Sequence, residues 1–317
     1  MTKKNSIKES VCHATKHLDE DQLMPQDSAC RFCGSKDRAP LVLLQEDPSV
    51  WLLECRNCRA ASASRIPTPA ALEDYYDNYY CSDLPVNEQE RITFDDVERF
   101  AKHICSRITK YLNRSRITIL DFGGGDGSIA VKISDRLLKM GIHSVDILLV
   151  DYNDTSIKPS QERISLTHRT SLDDLPGEKY DFVIASAIIE HIPEPGDTLV
   201  RLMSLLNDEG IFYARTPYVV PFVRLFRILG LKWDFTYPGH LHDIGPDFWT
   251  VFFERICEES NFEIILSEPS IVQTSLRTDF FRTVAAYTFK APWYMVGDRY
   301  RLVGGWEVFV RRHPSRK

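Results

Sequence analysis

No long apolar run, no excess of positive charge and no repeated or low-complexity segment marks this chain of 317 residues. The most apolar stretch, Val219 to Leu231, is interrupted by Pro221, Arg224 and Arg227, and is too short and too charged to span a bilayer. Behind Lys3, Lys4 and Lys8 no apolar segment follows, so no export signal is expected and a cytoplasmic location is. The formal net charge of -6 offers no bulk field for neutralising phosphates, which opposes RNA or DNA as substrate. What remains is ordinary for a soluble globular chain: 43% hydrophobic and 26% charged residues, with length for a large domain and a smaller one.

The polar segment 1–25 lacks an apolar period and reads as a flexible tail. Residues 26–84 read as a compact module around Cys30-x-x-Cys33 and Cys55-x-x-Cys58, with short strands at Leu41–Leu44 and Val50–Cys55. Pro67, Thr68 and Pro69 then open a helix around Ala70 to Tyr76. Residues 85–317 form the larger domain. A helix is expected from about Phe94 to Leu112, with Val97, Phe100, Ala101, Ile104 and Ile108 at helical spacing. Apolar strands at Ile117–Asp121, Val145–Asp151, Tyr180–Ala185 and Gly210–Ala214 follow, with helical stretches between them. That alternation predicts an α/β fold: a doubly wound parallel sheet covered on both faces. Phe262–Leu266 and Trp306–Val310 are expected to close it as a strand pair.

Gly123, Gly125 and Gly127 lie between the first of these strands and a helix, where a backbone can approach a ligand closely. Ser128 stands at the last place of the dinucleotide-binding glycine pattern, and the P-loop lysine is missing. Asp121 and Asp126 among the glycines would repel a pyrophosphate and attract an ammonium. Asp151, ending the second strand, is placed to accept hydrogen bonds from ribose hydroxyls.

The series Asp121–Gly127, Asp151, Tyr180-Asp181-Phe-Val-Ile and Glu190-His191-Ile-Pro resembles the successive motifs of class I S-adenosylmethionine (SAM)-dependent methyltransferases. The resemblance implies a seven-stranded, mostly parallel sheet whose last strand is antiparallel. It also implies SAM as cofactor, with Tyr152 beside Asp151, Ser171 and Leu172 along the adenine, and Ala185 and Ser186 beneath the cofactor. Ser171 stands where many relatives carry an acid.

Thiolates at i and i+3 in two tight turns complete a tetrahedral metal site, so Cys30, Cys33, Cys55 and Cys58 are expected to hold a structural zinc. The cysteine pairs, Pro67-Thr-Pro69 and Tyr75–Tyr80 together resemble the subgroup that carries a zinc-ribbon-like module before the methyltransferase domain. That subgroup includes sugar C-methyltransferases and makes Tyr79 and Tyr80 candidates for the active site. By the same likeness His240 is the candidate base, although Gly239 stands where the subgroup's base pair has glutamate. His191, after the fourth motif, is the alternative base.

Insertions at about 218–245 and 270–301 mix arginines with aromatics, which suits an anionic, ring-bearing small molecule; helices packed on a neighbour are the plain reading. The expected activity is methyl transfer from SAM to a sugar or nucleotide-linked sugar, with O-, N- and C-methylation and the oligomeric state open. An rRNA methyltransferase with a zinc module and a non-catalytic SAM-binding scaffold are the alternatives.

Overall fold

Two sheets organise the chain, in a computed structural model that describes residues 15–81, 96–152, 156–175, 177–231, 235–257, 261–277 and 279–314. The side chains of residues 77–81 and 174 lie outside that description. In the first sheet, β1 (Arg38–Gln45) and β2 (Val50–Cys55) pair antiparallel, and β3 (Ala61–Ala63) adds to β2. The part of the expected tail that is described, from Thr15 on, is packed against this sheet rather than free, a correction to that reading. Leu18 is fully buried, and Gln45 holds its backbone by donating to Leu18 O and accepting from Leu18 N, both at 2.9 Å. Leu18 and Leu23 join one core with Leu41, Val50 and Leu52 of this sheet and with Val220, Phe235 and Leu241 from the larger domain.

Helix α1 (Pro69–Cys81) starts where the sequence marks it: Thr68 Oγ1 caps Ala71 N at 3.3 Å and Pro69 needs no donor partner. Helix α2 (Val97–Ile108), capped by Asp96 on Arg99 N at 2.9 Å, ends in a tighter turn at Thr109–Tyr111, inside the expected span. Then follow β4 (Arg116–Phe122), α3 (Ser128–Lys139), β5 (Ser144–Val150), β6 (Ile164–Arg169), β7 (Tyr180–Ser186), α4 (Pro195–Ser204) and β8 (Leu206–Tyr218). The chain continues through α5 (Val220–Ile228), β9 (His242–Asp243), α6 (Pro246–Val251), β10 (Phe262–Pro269), α7 (Phe280–Lys290), α8 (Trp293–Val296) and β11 (Gly304–Arg312).

The second sheet has seven strands in the order β10-β11-β8-β7-β4-β5-β6. β6, β5, β4, β7 and β8 run parallel, and β11 lies antiparallel between β8 and β10. Alternate residues face opposite layers. Phe182 and Ile184 of β7, with Ile211 and Tyr213 of β8, meet α2 and α3; Val183, Ala185, Phe212 and Ala214 meet the other layer. That other layer contains α4, α6 and the cysteine module, since Cys30, Phe32, Cys55 and Cys58 share one core with Val183 and Trp249. β9 pairs with β3, so the large domain supplies the fourth strand of the first sheet.

Carboxyl-edge candidate site

β4 pairs with β5 on one side and β7 on the other, so the chain winds in opposite directions from β4 and opens a crevice at the carboxyl ends. All ten residues expected at the cofactor lie on that edge. Gly123 and Gly125 have φ of +68° and +60°, and a Cβ on Gly123 would lie 2.4 Å from Ile188 of the loop after β7. Gly127, at φ +79°, caps α3. A Cβ on Gly124 would lie 2.3 Å from the Asp121 carboxylate, so the bare loop is what allows that acid to sit beneath it.

Asp121 is buried and its Oδ2 has no hydrogen-bond partner among the described residues. Burial first, then the charges of Asp151 and Asp126, push its carboxyl up to about 7. An orphaned buried acid under a glycine cradle fits the ammonium of a bound SAM, which would supply the missing partner. Asp151 accepts the Gly125 N–H at 2.8 Å, tying the second strand end to the loop while other lone pairs can face a ribose. Tyr152 beside it is 69% exposed. Ser171 turns its hydroxyl to its own backbone, accepting from Asp173 N at 3.1 Å, and Leu172 packs on the core. Ala185 is fully buried beneath the edge; Ser186 Oγ is buried without a partner among the described residues. Ala187, directly after them, takes φ +56°, a conformation a non-glycine residue adopts only where its surroundings hold it.

The two histidines offered by the sequence as alternatives come together. Their rings lie 5.0 Å apart, and one ligand atom each of Glu190, His191 and His240 falls within 4.8 Å of the others. His191 Nδ1 lies 2.6 Å from Gly239 O, which can only accept, so Nδ1 carries the proton and Nε2 is the basic nitrogen. Thr236 Oγ1 donates to Phe235 O at 2.6 Å and therefore accepts from His240 Nδ1 at 2.6 Å, leaving Nε2 basic there too. Tyr76 of α1 reaches the pair, its hydroxyl 3.2 Å from His191 Nδ1. Tyr79 and Tyr80 lie in the last turns of α1, where side chains are outside the described residues. Glu190 is 2% exposed and its Oε2 lacks a partner among the described residues. Burial, reinforced by the charge of Asp243, pushes it up to about 8.

In the sequence Glu190 and Tyr76 stand out only as members of motifs, Glu190-His191-Ile-Pro and Tyr75–Tyr80, and nothing there marks Arg215, buried near the end of β8. The signal for Glu190 was an acid in an otherwise apolar strand-to-loop segment. His242, in contrast, is structural. It accepts from Ser62 at Nδ1 (2.9 Å) and donates from Nε2 to Ile192 O (2.8 Å), and burial pushes it down to about 3.

The four cysteine sulfurs also lie within 4.8 Å of one another, with Cys30–Cys58 at 3.5 Å and Cys33–Cys55 at 3.6 Å. Sulfurs of a tetrahedron with bonds of about 2.3 Å sit roughly 3.8 Å apart, so this set fits zinc. The two turns share one pattern: Gly34 N donates to Cys30 O at 2.8 Å, and Arg59 N to Cys55 O at 2.9 Å, both from left-handed residues. Between this module and the large domain lies a cleft of about 420 Å³, lined among others by Arg59, Tyr218, Arg224, Asp243, Phe248 and Arg301.

Residues 94–274 match the family model described as a methyltransferase domain. Among solved structures, the chain is similar to the plantazolicin methyltransferase BpumL in complex with a monoazolic desmethylPZN analog and SAH. That match has a TM-score of 0.50 and 14% identity, and covers 77% of this chain and 95% of that one. Looser matches are coclaurine N-methyltransferase bound to N-methylheliamine and SAH (TM-score 0.46, 11% identity, 74% and 81% covered) and magnesium protoporphyrin IX methyltransferase from Synechocystis PCC 6803 with bound SAH (0.43, 13%, 77% and 95%). No curated protein sequence matches the chain.

Proposed function

The chain belongs to the methyltransferase-domain family, and from that premise we propose that it transfers a methyl group from SAM to a polar small molecule, a sugar or nucleotide-linked sugar. Bound SAM supplies a methyl made electrophilic by its sulfonium. Asp121 and the loop Gly123–Gly127 hold its methionine end, Asp151 and Tyr152 its ribose, Ser171 and Leu172 its adenine, and Ala185 and Ser186 support it from below. Cys30, Cys33, Cys55 and Cys58 hold a structural zinc, whose binding contributes on the order of 10 kcal/mol to folding a module with little core of its own.

The observation that carries the catalytic reading is the cluster of Glu190, His191 and His240; the first two follow closely on Ile188, which lies against Gly123 of the glycine loop. With SAM bound, His240 Nε2 would take the proton from the acceptor atom as the methyl passes to that atom from the sulfonium sulfur, which departs as the neutral thioether of SAH; His191 flanks it with its tautomer fixed by Gly239 O. The carboxyl absent at Gly239 is provided by Glu190 from another loop. In the cleft Arg59 and Arg224 pair with Glu54 and Arg301 pairs with Asp247, beside Tyr218 and Phe248; an anionic ring-bearing acceptor would draw these guanidinium groups from their carboxylates. Asp243 lines the cleft and acts on Glu190 through its charge, which puts cleft and cluster within electrostatic reach.

The test is turnover with SAM and a panel of nucleotide-linked sugars, read by mass. Wild-type protein is expected to give a methylated product. His240→Ala is expected to lose about 10²- to 10⁴-fold in rate with SAH affinity retained. Equal rates in the two proteins would remove His240 from the mechanism, and a methylated RNA product in place of a sugar would overturn the acceptor class.

A further inference from the structure

The described residues hold two clusters of acids and histidines, and the two are built differently. In the first, His103 of α2, Glu268 of β10 and Glu307 of β11 are closed by donors of the protein itself. His103 Nε2 lies 2.6 Å from Glu307 Oε1, Tyr213 donates to Glu307 Oε2 at 3.1 Å, and Arg107 Nε donates to Glu268 Oε1 at 2.9 Å. The Arg107 guanidinium, also 3.9 Å from Glu307, stands where a cation would. That cluster is complete without a ligand.

The second cluster, Glu190, His191 and His240, is built the other way. Glu190 is 2% exposed, and its Oε2 has no hydrogen-bond partner among the described residues. A buried carboxyl oxygen left so is destabilising until a donor or a cation reaches it. Both imidazoles commit their Nδ1–H elsewhere, His191 to Gly239 O and His240 to Thr236 Oγ1, each at 2.6 Å, so Nε2 carries the lone pair in both rings. Metal-binding histidines are held in this way, the second ring N–H given to a carbonyl or another acceptor that fixes tautomer and orientation. The two loops that carry the cluster are also tied together, Leu241 N donating to Glu190 O at 2.8 Å.

One ligand atom of each residue lies within 4.8 Å of the other two, with His191 Nε2 3.9 Å from Glu190 Oε1. Ligands bonded to one ion at about 2.0–2.1 Å sit roughly 3.4 Å apart in a tetrahedron, so a side-chain adjustment of about half an ångström brings that pair onto one ion. Arg215 and Asp243 act on Glu190 with opposite charge, and neither alone sets the field there. Two imidazoles with one carboxylate select a divalent transition ion such as zinc, cobalt or iron over magnesium and calcium, which prefer oxygen ligands. Three protein ligands also leave a position open, unlike the four-thiolate set.

The geometry points to a second metal site, formed by Glu190, His191 and His240, that takes one divalent transition-metal ion. As the ion enters, any proton on these ligands leaves to water. One consequence rests on the methyl-transfer reading: the His240 Nε2 lone pair cannot hold an ion and receive the acceptor's proton at once, so the bound ion inhibits the reaction.

The experiment is a cobalt(II) titration of the full chain purified with zinc, followed by visible absorption and by metal content. It is run without SAM or acceptor, so its outcome does not depend on methyl transfer. One cobalt per chain is expected, with the weak ligand-field bands of nitrogen and oxygen ligands and no thiolate charge-transfer band. Affinity is expected to fall at least about tenfold in Glu190→Gln and in His191→Ala, since loss of a mere supporting contact already costs that much. Melting temperature reports whether each variant is folded, and His240→Ala, at a half-buried position, gives the same loss should Glu190→Gln unfold. No cobalt bound beyond a thiolate-type spectrum, or an affinity that the folded variants leave unchanged, would overturn the site. Turnover that a filled site leaves unchanged would overturn the inhibition.

Discussion

At the scale of single residues, the site is governed by acids held where water cannot reach them. Asp121 has its carboxyl raised to about 7 by burial, so the protonated form prevails below that pH and must ionise to face an ammonium. SAH affinity measured by titration calorimetry is therefore expected to rise with pH up to about 7, and to fall again once the ligand's amino group deprotonates near roughly 8. In Asp121→Asn the rise disappears and affinity drops about 10- to 100-fold, the scale of a charge-assisted hydrogen bond. His242 works with the opposite sign. Burial lowers it to about 3, so the unfolded chain takes up the proton first, and its contribution is complete above about pH 6.5 and is lost as pH falls toward 3. Denaturant unfolding of His242→Gln across that window is expected to show a flatter acid limb than wild type. Gly196 tests the joint between module and domain. A Cβ there would lie 2.7 Å from Arg31 O and 2.9 Å from Phe32 O, backbone atoms that cannot swing away, so Gly196→Ala should cost about 1–3 kcal/mol.

Elements record how far a sequence can be read and where reading stops. The core strands were legible because they are covered on both faces and hence nearly all apolar: Tyr180–Ser186 is buried at all but its last position. β6 was not, since Ile164-Ser-Leu-Thr-His-Arg169 is an edge strand buried only at Ile164 and half-buried on alternate residues. β9 was not legible either; a two-residue strand exists only because β3 offers it a partner. The glycine loop with Asp121 and Asp151 was readable because its chemistry is local. The Glu190–His191–His240 cluster was readable only as two competing histidines, because its assembly needs the chain to fold back through Thr236, at φ +60°, so that Leu241 N donates to Glu190 O at 2.8 Å. The orientation of α7 was hidden for a related reason. Phe280-Phe-Arg-Thr-Val-Ala-Ala-Tyr-Thr-Phe-Lys290 reads as apolar, yet its buried residues are Thr283 and Lys290, which bond Thr274 and Ser270.

For the molecule as a whole, the cysteine module is a layer of the large domain rather than an appendage. Phe32 lies between His242 (5.1 Å) and Phe248 (4.8 Å), and the cysteines share a core with β7 and β8. Chelation of the proposed zinc is accordingly expected to lower the melting temperature of the entire chain in a single transition. Two separate transitions, the later unmoved by chelator, would show the module to be independent. The module also walls one side of the cleft through Glu54 and Arg59, so Arg59→Ala should weaken acceptor binding more than SAM binding. Everything about the chemistry nevertheless rests on the carboxyl edge of the sheet binding SAM. Calorimetric titration of SAH into wild-type protein and Asp151→Ala tests this most directly. Saturable binding in wild type that weakens at least about tenfold in the variant, with both proteins folded, is the predicted result. Equal affinity in the two, or no binding by the folded wild type, would contradict it.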